Sequence, residues 1–248
     1  YAAIIQTAGY LGVPAPILEF STLNEDLDIL RADRPSPTER ASVSLFIWGN
    51  MGHDFTKGAD GIARNIIVPH RATDGGLFNI LPFVLREINN DLSPAQRVNY
   101  ALRKLVSIKG KNYVAYYARR FDKTGVVPIA SYVSVDETGK ETITAFKPNN
   151  TNLKPTPPAL NSEGVWVNSS DYVTVKARIA LSMMESEVQE MKEVARIVYG
   201  HESYAIMSEI ALCTCVNRVI RASGANGATF NFSEAVTAQV ASHLNVNY

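Results

Sequence analysis

The sequence is poor in cysteine, has no long hydrophobic run and has no excess of charge of either sign. Only two of its 248 residues are cysteine. Cys213 and Cys215 are two positions apart, which is poorly suited to a disulfide bond between them, and two lone cysteines suggest a reducing compartment. No apolar run reaches about 18 residues, so no membrane-spanning helix is predicted. The 24 basic and 24 acidic residues cancel, which argues against binding nucleic acid chiefly through phosphates.

Motifs that mark common enzyme classes are also missing. The sequence has no G-x-S-x-G, H-E-x-x-H, Walker A or G-x-G-x-x-G pattern. The one region with candidate chemistry is a glycine-rich loop and its surroundings, which contain His53, Asp54, Asp60, His70 and Asp74. Such side chains can bind a divalent metal or transfer protons, so a metal-dependent hydrolase is one hypothesis. Because they are scattered over predicted loops, turn hydrogen bonds explain them better.

The composition is that of an ordinary folded protein, since 46% of the residues are hydrophobic and 19% are charged. The best-specified predicted element is a helix that begins after Ser93. Ser93 is a good N-cap, Pro94 suits the first helical position, and Gln96 completes a capping box. A buried helical face is then predicted from the spacing of Val98, Ala101, Leu102 and Leu105.

Two further helices are predicted, and the rest of the regular structure is predicted as strands. A second capping box at Ser182 and Glu185 opens a helix that Gly200 ends, and Ser233 caps a final helix to about Leu244. Alternating or β-prone runs predict strands at 42–48, 112–121, 126–135, 141–146, 172–181 and 203–216. Residues 49–69 and 147–165 are predicted to be long and irregular.

These elements predict an α+β fold, mainly an antiparallel sheet with two or three amphipathic helices and long irregular segments. Residues 1–40 mix apolar, acidic and Pro-rich stretches. We therefore expect an extended N-terminal arm or docking segment over residues 1–40, and a single α+β domain over residues 41–248.

Charge is unevenly distributed along the chain. Residues 97–123 contain eight basic residues against one acid, and residues 183–209 contain six acids against two bases. One interpretation is that these stretches meet between neighbouring subunits, where complementary charge gives register and specificity. The candidate interface residues are then Arg97, Arg103, Lys104, Arg119, Arg120, Glu187, Glu190 and Glu193.

Two other interpretations of the charged stretches stay open. Nucleic acid could lie along residues 97–123, with bases stacked on Tyr113, Tyr116 and Tyr117, as in a viral coat protein or nucleoprotein. The stretches could also be ordinary solvated faces. Subunit contact is favoured over nucleic acid because the net charge is zero and the tyrosines fit strand propensity without a ligand.

Three stretches in chain order carry a family resemblance: VPHRATDGGLFNILPFVLREINNDLSPAQRVNYALRKL, AFKPNNTNLKPTPP and YGHESYAIMSEIALCTCV. Together they resemble structural proteins of tailed-bacteriophage virions, of the kind built into baseplates, tails or head–tail joints. The resemblance covers roughly residues 45–245. It implies a non-enzymatic protein without a cofactor, assembled in the host cytoplasm into a virion. The implied partners are copies of itself and other virion proteins, with no membrane, and no catalytic residue is carried over.

Overall fold

A computed structural model describes residues 22–29, 41–71, 74–136, 138–147, 149, 171–224 and 227–246. The chain divides into two compact units, one from Tyr1–Asp122 with Ser182–Tyr248, the other from Lys123–Leu181. In chain order the strands are β1 (Ser42–Gly49), β2 (His53–Lys57), β3 (Ala63–Ile67), β4 (Ile80–Leu81), β5 (Val84–Glu87), β6 (Tyr100–Ile108), β7 (Lys111–Arg120), β8 (Ile129–Val135), β9 (Glu141–Ala145), β10 (Tyr172–Lys176), β11 (Glu209–Ser223) and β12 (Thr229–Asn245).

The helices of the described residues are few and mostly short. They are α1 (Thr22–Asp26), α2 (Pro94–Arg97), α3 (Glu185–Tyr199) and a 3-10 turn at Glu202–Tyr204. Strands make up 50% of the structure and helices 14%, so the fold is mainly β. The predicted α+β class with two or three amphipathic helices is therefore wrong, although the predicted antiparallel pairing is confirmed.

The first unit is built on a seven-stranded antiparallel sheet. Its strand order is β12-β11-β1-β7-β5, with β4 beside β1 and β6 beside β7. The central strand β1 is buried on both faces from Leu45 to Trp48, as its doubly apolar sequence predicts. One core cluster joins the apolar side of this sheet to Leu23 of helix α1 and to Leu27 and Ile29, which follow that helix.

A second, smaller cluster forms where α3 packs on the sheet. Val194 of α3 lies among Leu85, Tyr113 and Ala115 of strands β5 and β7. Gly200 ends the helix as predicted, in the left-handed conformation at φ 93°. The helix begins at Glu185, later than the predicted cap at Ser182, because Met184 is the N-cap and its N–H donates to the carboxylate of Glu187.

The helix predicted after Ser93 is wrong beyond its first turn. The capping box is present, with the Ser93 N–H donating to Gln96, but the helix ends at Arg97 and β6 begins at Tyr100. Val98 and Leu105, placed on the buried helical face, are 66% and 63% exposed. Pairing with β7 along the whole of β6 outweighs a local signal that specifies only one turn.

The final helix predicted from Ser233 to about Leu244 is also wrong. This segment is strand β12, which pairs with β11 from Thr229 to Asn245. Val236 is fully buried in that ladder, whereas Leu244 is 56% exposed. A spacing of four residues fits a helix, but it also places residues on one face of a strand.

The segment predicted as a long irregular loop at 49–69 is largely a two-stranded hairpin of β2 and β3. Within the predicted arm over residues 1–40, the described residues 22–29 contain helix α1 and pack into the core. The rest of that segment lies outside the described residues, and the arm stays a prediction there. The predicted irregular segment 147–165 also lies almost wholly outside them.

The second unit contains a three-stranded antiparallel sheet in the order β10-β8-β9. The hairpin predicted from 126–135 and 141–146 is confirmed, with a tight turn at Asp136 and Gly139. Strand β10 is shorter than predicted and ends at Lys176. Val173 and Val175 are exposed, so the predicted half-buried face is not formed.

Candidate interface residues and an arginine-lined pocket

The closest contact between the basic and acidic stretches joins Arg119 of β7 to Glu187 of α3. The Arg119 Nε and Nη2 atoms donate to the two Glu187 oxygens at 2.8 and 2.9 Å, in the bidentate geometry that favours arginine. Arg119 Nη1 also donates to the carbonyl of Ser182 at 2.8 Å. Both charged side chains are largely buried, so this pair ties α3 to the sheet within one chain.

Arg97 and Arg103 share a carboxylate that the sequence did not single out. Asp91 Oδ2 accepts from Arg103 at 2.8 Å and from Arg97 at 3.2 Å, and its Oδ1 accepts from the Tyr116 hydroxyl at 2.6 Å. Burial alone would raise the pKa of Asp91, but the hydrogen bonds from Tyr116 and Arg103 lower it below its ordinary value. Asp91 is therefore a charged acceptor at neutral pH for three side chains.

The other candidate interface residues also have partners within the chain. Lys104 donates to Asp28, at 3.3 Å from its carboxylate. Arg120 donates to Asn217 and to the Ser233 carbonyl. Glu190 pairs with Arg86, and Glu193 pairs with Arg196.

The structure thus joins the basic and acidic stretches inside one chain, chiefly through Arg119 and Glu187. This intramolecular pairing accounts for much of the charge complementarity from which an interface between subunits was predicted. It also leaves few of these cations free to neutralise phosphates.

A pocket of about 390 Å³ opens beside α2 and the first residues of β12. Arg97 and Arg120 contribute its positive charge, and Phe230 and Phe232 contribute apolar rings. The Arg97 guanidinium carbon lies 3.9 Å from the centre of the Phe230 ring, which is within cation–π distance. Sequence reasoning missed this pocket, because its residues come from segments more than a hundred positions apart.

The three carboxylates among the proposed metal or acid–base residues each accept a nearby backbone N–H. Asp60 accepts from the Ile62 N–H and Asp74 from the Arg71 N–H, as expected for turn-stabilising carboxylates, and Asp54 in β2 accepts from the Phe55 N–H. The other two, His53 and His70, lie on β2 and near Asp74 respectively. Among the described residues, no group of three or more His, Cys, Asp and Glu side chains is placed to hold a metal ion.

Glu209 is a buried carboxylate that organises the loops at one end of the main sheet. It accepts backbone N–H groups from Met51, Phe78 and Asn79 at 2.6–3.2 Å, and its Oε1 lies 3.3 Å from Nε2 of His243. Burial would raise the pKa of Glu209, but the neighbouring His243 and the three N–H groups lower it. The acid therefore stays charged and fixes two separate segments of chain.

The glycines of the GNMG loop are explained by close packing over the same carboxylate. A Cβ atom on Gly49 would lie 2.3 Å from the Asn79 carbonyl, and one on Gly52 would lie 2.2 Å from the Ser208 carbonyl. Both distances are shorter than any side chain tolerates. These two glycines therefore allow close packing of the backbone.

Large apolar side chains are exposed on the β2–β3 hairpin. Phe55 is 64% exposed and Ile67 is 49% exposed, and the register places both on one face of the hairpin. Met51, Ile62 and Ile66 are exposed nearby in sequence. A two-stranded hairpin is marginally stable alone, so an apolar face of this kind is typical of a surface that another polypeptide covers.

None of the helices in the described ranges has the length and apolar character that crossing a membrane requires. A model of a family of unknown function, DUF7208, matches residues 1–248. No curated protein and no solved structure matches the chain. Because the family model spans the full length of the sequence, the chain belongs to the DUF7208 family.

Proposed function

We propose that this protein is a non-enzymatic structural subunit of a tailed-phage virion, in the tail, baseplate or neck. It acts through contacts with copies of itself and with other virion proteins. The proposal puts the chain in the virion after assembly in the host cytoplasm. The sequence resemblance over residues 45–245 supports the virion, and the exposed apolar hairpin supports the subunit contacts.

The exposed face of the β2–β3 hairpin carries the proposal. Burying one side chain of the size of Phe or Ile stabilises a contact by about 1.5–3 kcal/mol. Because Phe55 is 64% exposed and Ile67 is 49% exposed, the two together contribute about 2–3 kcal/mol, which is roughly thirtyfold to 150-fold in affinity. Hydrophobic contact of this kind does not need the charged residues, which are already paired within the chain.

Nucleic-acid binding through residues 97–123 is the alternative, and the structure offers it less support. Arg97 and Arg103 bind Asp91, Arg119 binds Glu187, and Lys104 binds Asp28. The tyrosine hydroxyl of Tyr116 is likewise bound to Asp91, and its ring is fully buried in the sheet. Base stacking on Tyr116 would require opening the core.

The test is the mass of the full chain in solution, measured by light scattering over a range of micromolar concentrations. The monomer mass is 27.2 kDa, and we expect the wild-type protein to approach a multiple of it as concentration rises. The double variant Phe55→Ser, Ile67→Ser removes the apolar contact and is expected to weaken association roughly a hundredfold.

Thr56→Ser is the matched control, because Thr56 lies on the opposite face of the same hairpin and serine retains the hydroxyl group. It is expected to associate as the wild type does. A wild-type chain that stays at the monomer mass at every concentration would contradict self-association. A double variant that associates like the wild type would remove the hairpin from the interface.

A further inference from the structure

The pocket beside α2 has more positive charge than the chain neutralises. Three guanidinium groups, those of Arg97, Arg103 and Arg120, lie at or near its wall. Asp91 is shared by Arg97 and Arg103. Within the described residues, Arg120 donates only to neutral oxygens, those of Asn217 and Ser233. Among the described residues, one carboxylate therefore pairs with two of these three cations, and Arg120 has no carboxylate partner.

Two buried donors of this cluster are also unused. The Nε atoms of Arg97 and Arg103 are inaccessible to solvent and have no hydrogen-bond partner among the described residues. Partial burial of the Arg120 guanidinium lowers its pKa. Because Arg120 has no carboxylate partner among the described residues, an anion in the pocket would provide its counter-ion.

The walls of the pocket offer a ligand apolar and neutral polar contacts as well as positive charge. Phe230 and Phe232 alternate along β12 and so face the same side of the strand. Asn231 and Ser233 add neutral hydrogen-bonding groups at the rim. The volume of about 390 Å³ suits a small molecule or one or two side chains. An anion with an apolar or aromatic part fits both kinds of wall.

We propose that this pocket binds a carboxylate that carries an apolar or aromatic group. Arg120 and Arg97 pair with the carboxylate, and Phe230 and Phe232 contact the apolar part. A planar guanidinium matches a carboxylate in a bidentate pair. A nucleic-acid phosphate is less suited, because the neighbouring cations that would follow its backbone are bound to acids of this chain. The carboxylate can belong to a free organic acid or to an acidic side chain of another polypeptide.

The experiment is an NMR titration of the full chain with phenylacetate, phenyl phosphate and the capped tripeptide Leu-Glu-Phe. The side-chain amides of Asn231 and Asn217 are the reporters, because one lines the pocket and the other binds Arg120. We expect phenylacetate to shift these signals saturably. Binding of the tripeptide, but not of Leu-Gln-Phe, identifies a polypeptide source. Binding of phenylacetate alone identifies a free acid.

Arg120→Met and Arg97→Met are each expected to weaken phenylacetate binding about tenfold or more. Arg196→Met is the control, because Arg196 is an exposed arginine of α3 that does not line the pocket. Thermal unfolding of each variant shows whether it is folded, and two independent arginines keep the test usable if one variant is not. Shifts that are absent for every probe, or unchanged in both variants, would overturn the proposal. A phenyl phosphate affinity more than tenfold above that of phenylacetate would overturn the assignment to carboxylates.

Ligand binding in this pocket does not depend on self-association through the β2–β3 hairpin, since the two use different surfaces and are tested with different probes. A chain that binds phenylacetate but stays monomeric would support the pocket and contradict the proposed assembly. A chain that associates through the hairpin but binds none of the probes would do the reverse.

Discussion

Two buried carboxylates, Asp91 and Glu209, hold together parts of the chain that are distant in sequence. Asp91 collects two arginines and a tyrosine on one side of the sheet, and Glu209 collects three backbone N–H groups at one end of it. Neither lies in a recognisable motif. The count of six acids over 183–209 includes Glu209, although sequence alone does not show that this residue is completely buried.

Replacing Glu209 by Gln is expected to destabilise the protein by about 2–3 kcal/mol at pH 7. The amide keeps one acceptor oxygen, but its NH₂ group meets backbone donors that need an acceptor, and hydrogen bonds to a charged group are the stronger ones. Urea unfolding of the full chain measures the change. Glu87→Gln is the matched control, because Glu87 is exposed at the end of β5 and is expected to change stability little.

The effect of Glu209 also depends on pH in a defined direction. Its folded pKa is lowered from an ordinary value of 4.5, so its contribution is fully present above that value and is lost as pH falls through the folded pKa. The difference in unfolding free energy between the wild type and Glu209→Gln should therefore shrink below about pH 4.5. A difference that stays constant from pH 7 down to the acid transition would contradict the charged, hydrogen-bonded state.

Among the secondary-structure elements, the long strands contain residues with positive φ and register shifts that no sequence pattern predicts. Thr237 in β12 has a positive φ of 59°, at the point where the register with β11 shifts between Cys215 and Val216. Ala118 in β7 has a φ of 54°. A β-branched residue in the left-handed region is uncommon, and the local strain costs on the order of 1 kcal/mol.

Thr237→Gly is expected to raise the free energy of unfolding by between zero and about 1 kcal/mol, because glycine adopts this backbone conformation without strain. Thr142→Gly is the comparison, since Thr142 lies in the extended strand β9, where glycine costs about 0.5–1 kcal/mol. Thermal and urea unfolding of both variants measure whether each substitution raises or lowers the stability of the protein. Equal destabilisation by both substitutions would show that the bulge holds no such strain.

Elements whose sequence signal is local and long were predictable. Strands β1, β7, β8 and β9 and the glycine stop of α3 follow from alternation, β-prone residues and turn chemistry. The capping box at Ser93 was also predicted correctly, yet it specifies only one helical turn. The identity of β6 and β12 depends on partners far away in the sequence, so helical spacing within either segment gave the wrong class.

The sequence predicts which residues of the candidate interface are charged, but it does not predict which of them contact each other. The sequence shows that residues 97–123 are basic and that residues 183–209 are acidic. It does not show that Arg119 and Glu187 meet inside one chain, or that Asp91 neutralises two arginines. Phe230 has no signal of its own, because its role depends on the Arg97 guanidinium that lies over its ring.

At the scale of the whole molecule, charge and apolar surface have different roles. The charges of opposite sign largely satisfy each other within the first unit, which makes them a means of holding α3 and the loops onto the sheet. Exposed apolar side chains on the β2–β3 hairpin are left without such partners among the described residues. We therefore propose that apolar strands make the contacts with other polypeptides and that the arginine-lined pocket binds the ligand.

The proposed role in the virion is tested most directly by quantitative mass spectrometry of density-purified phage particles from a host that carries the coding sequence. We expect to find the chain in the particle fraction, in several copies per particle and at a fixed ratio to other virion proteins. Its presence in the lysate together with its absence from the purified particles would contradict a structural role in the virion.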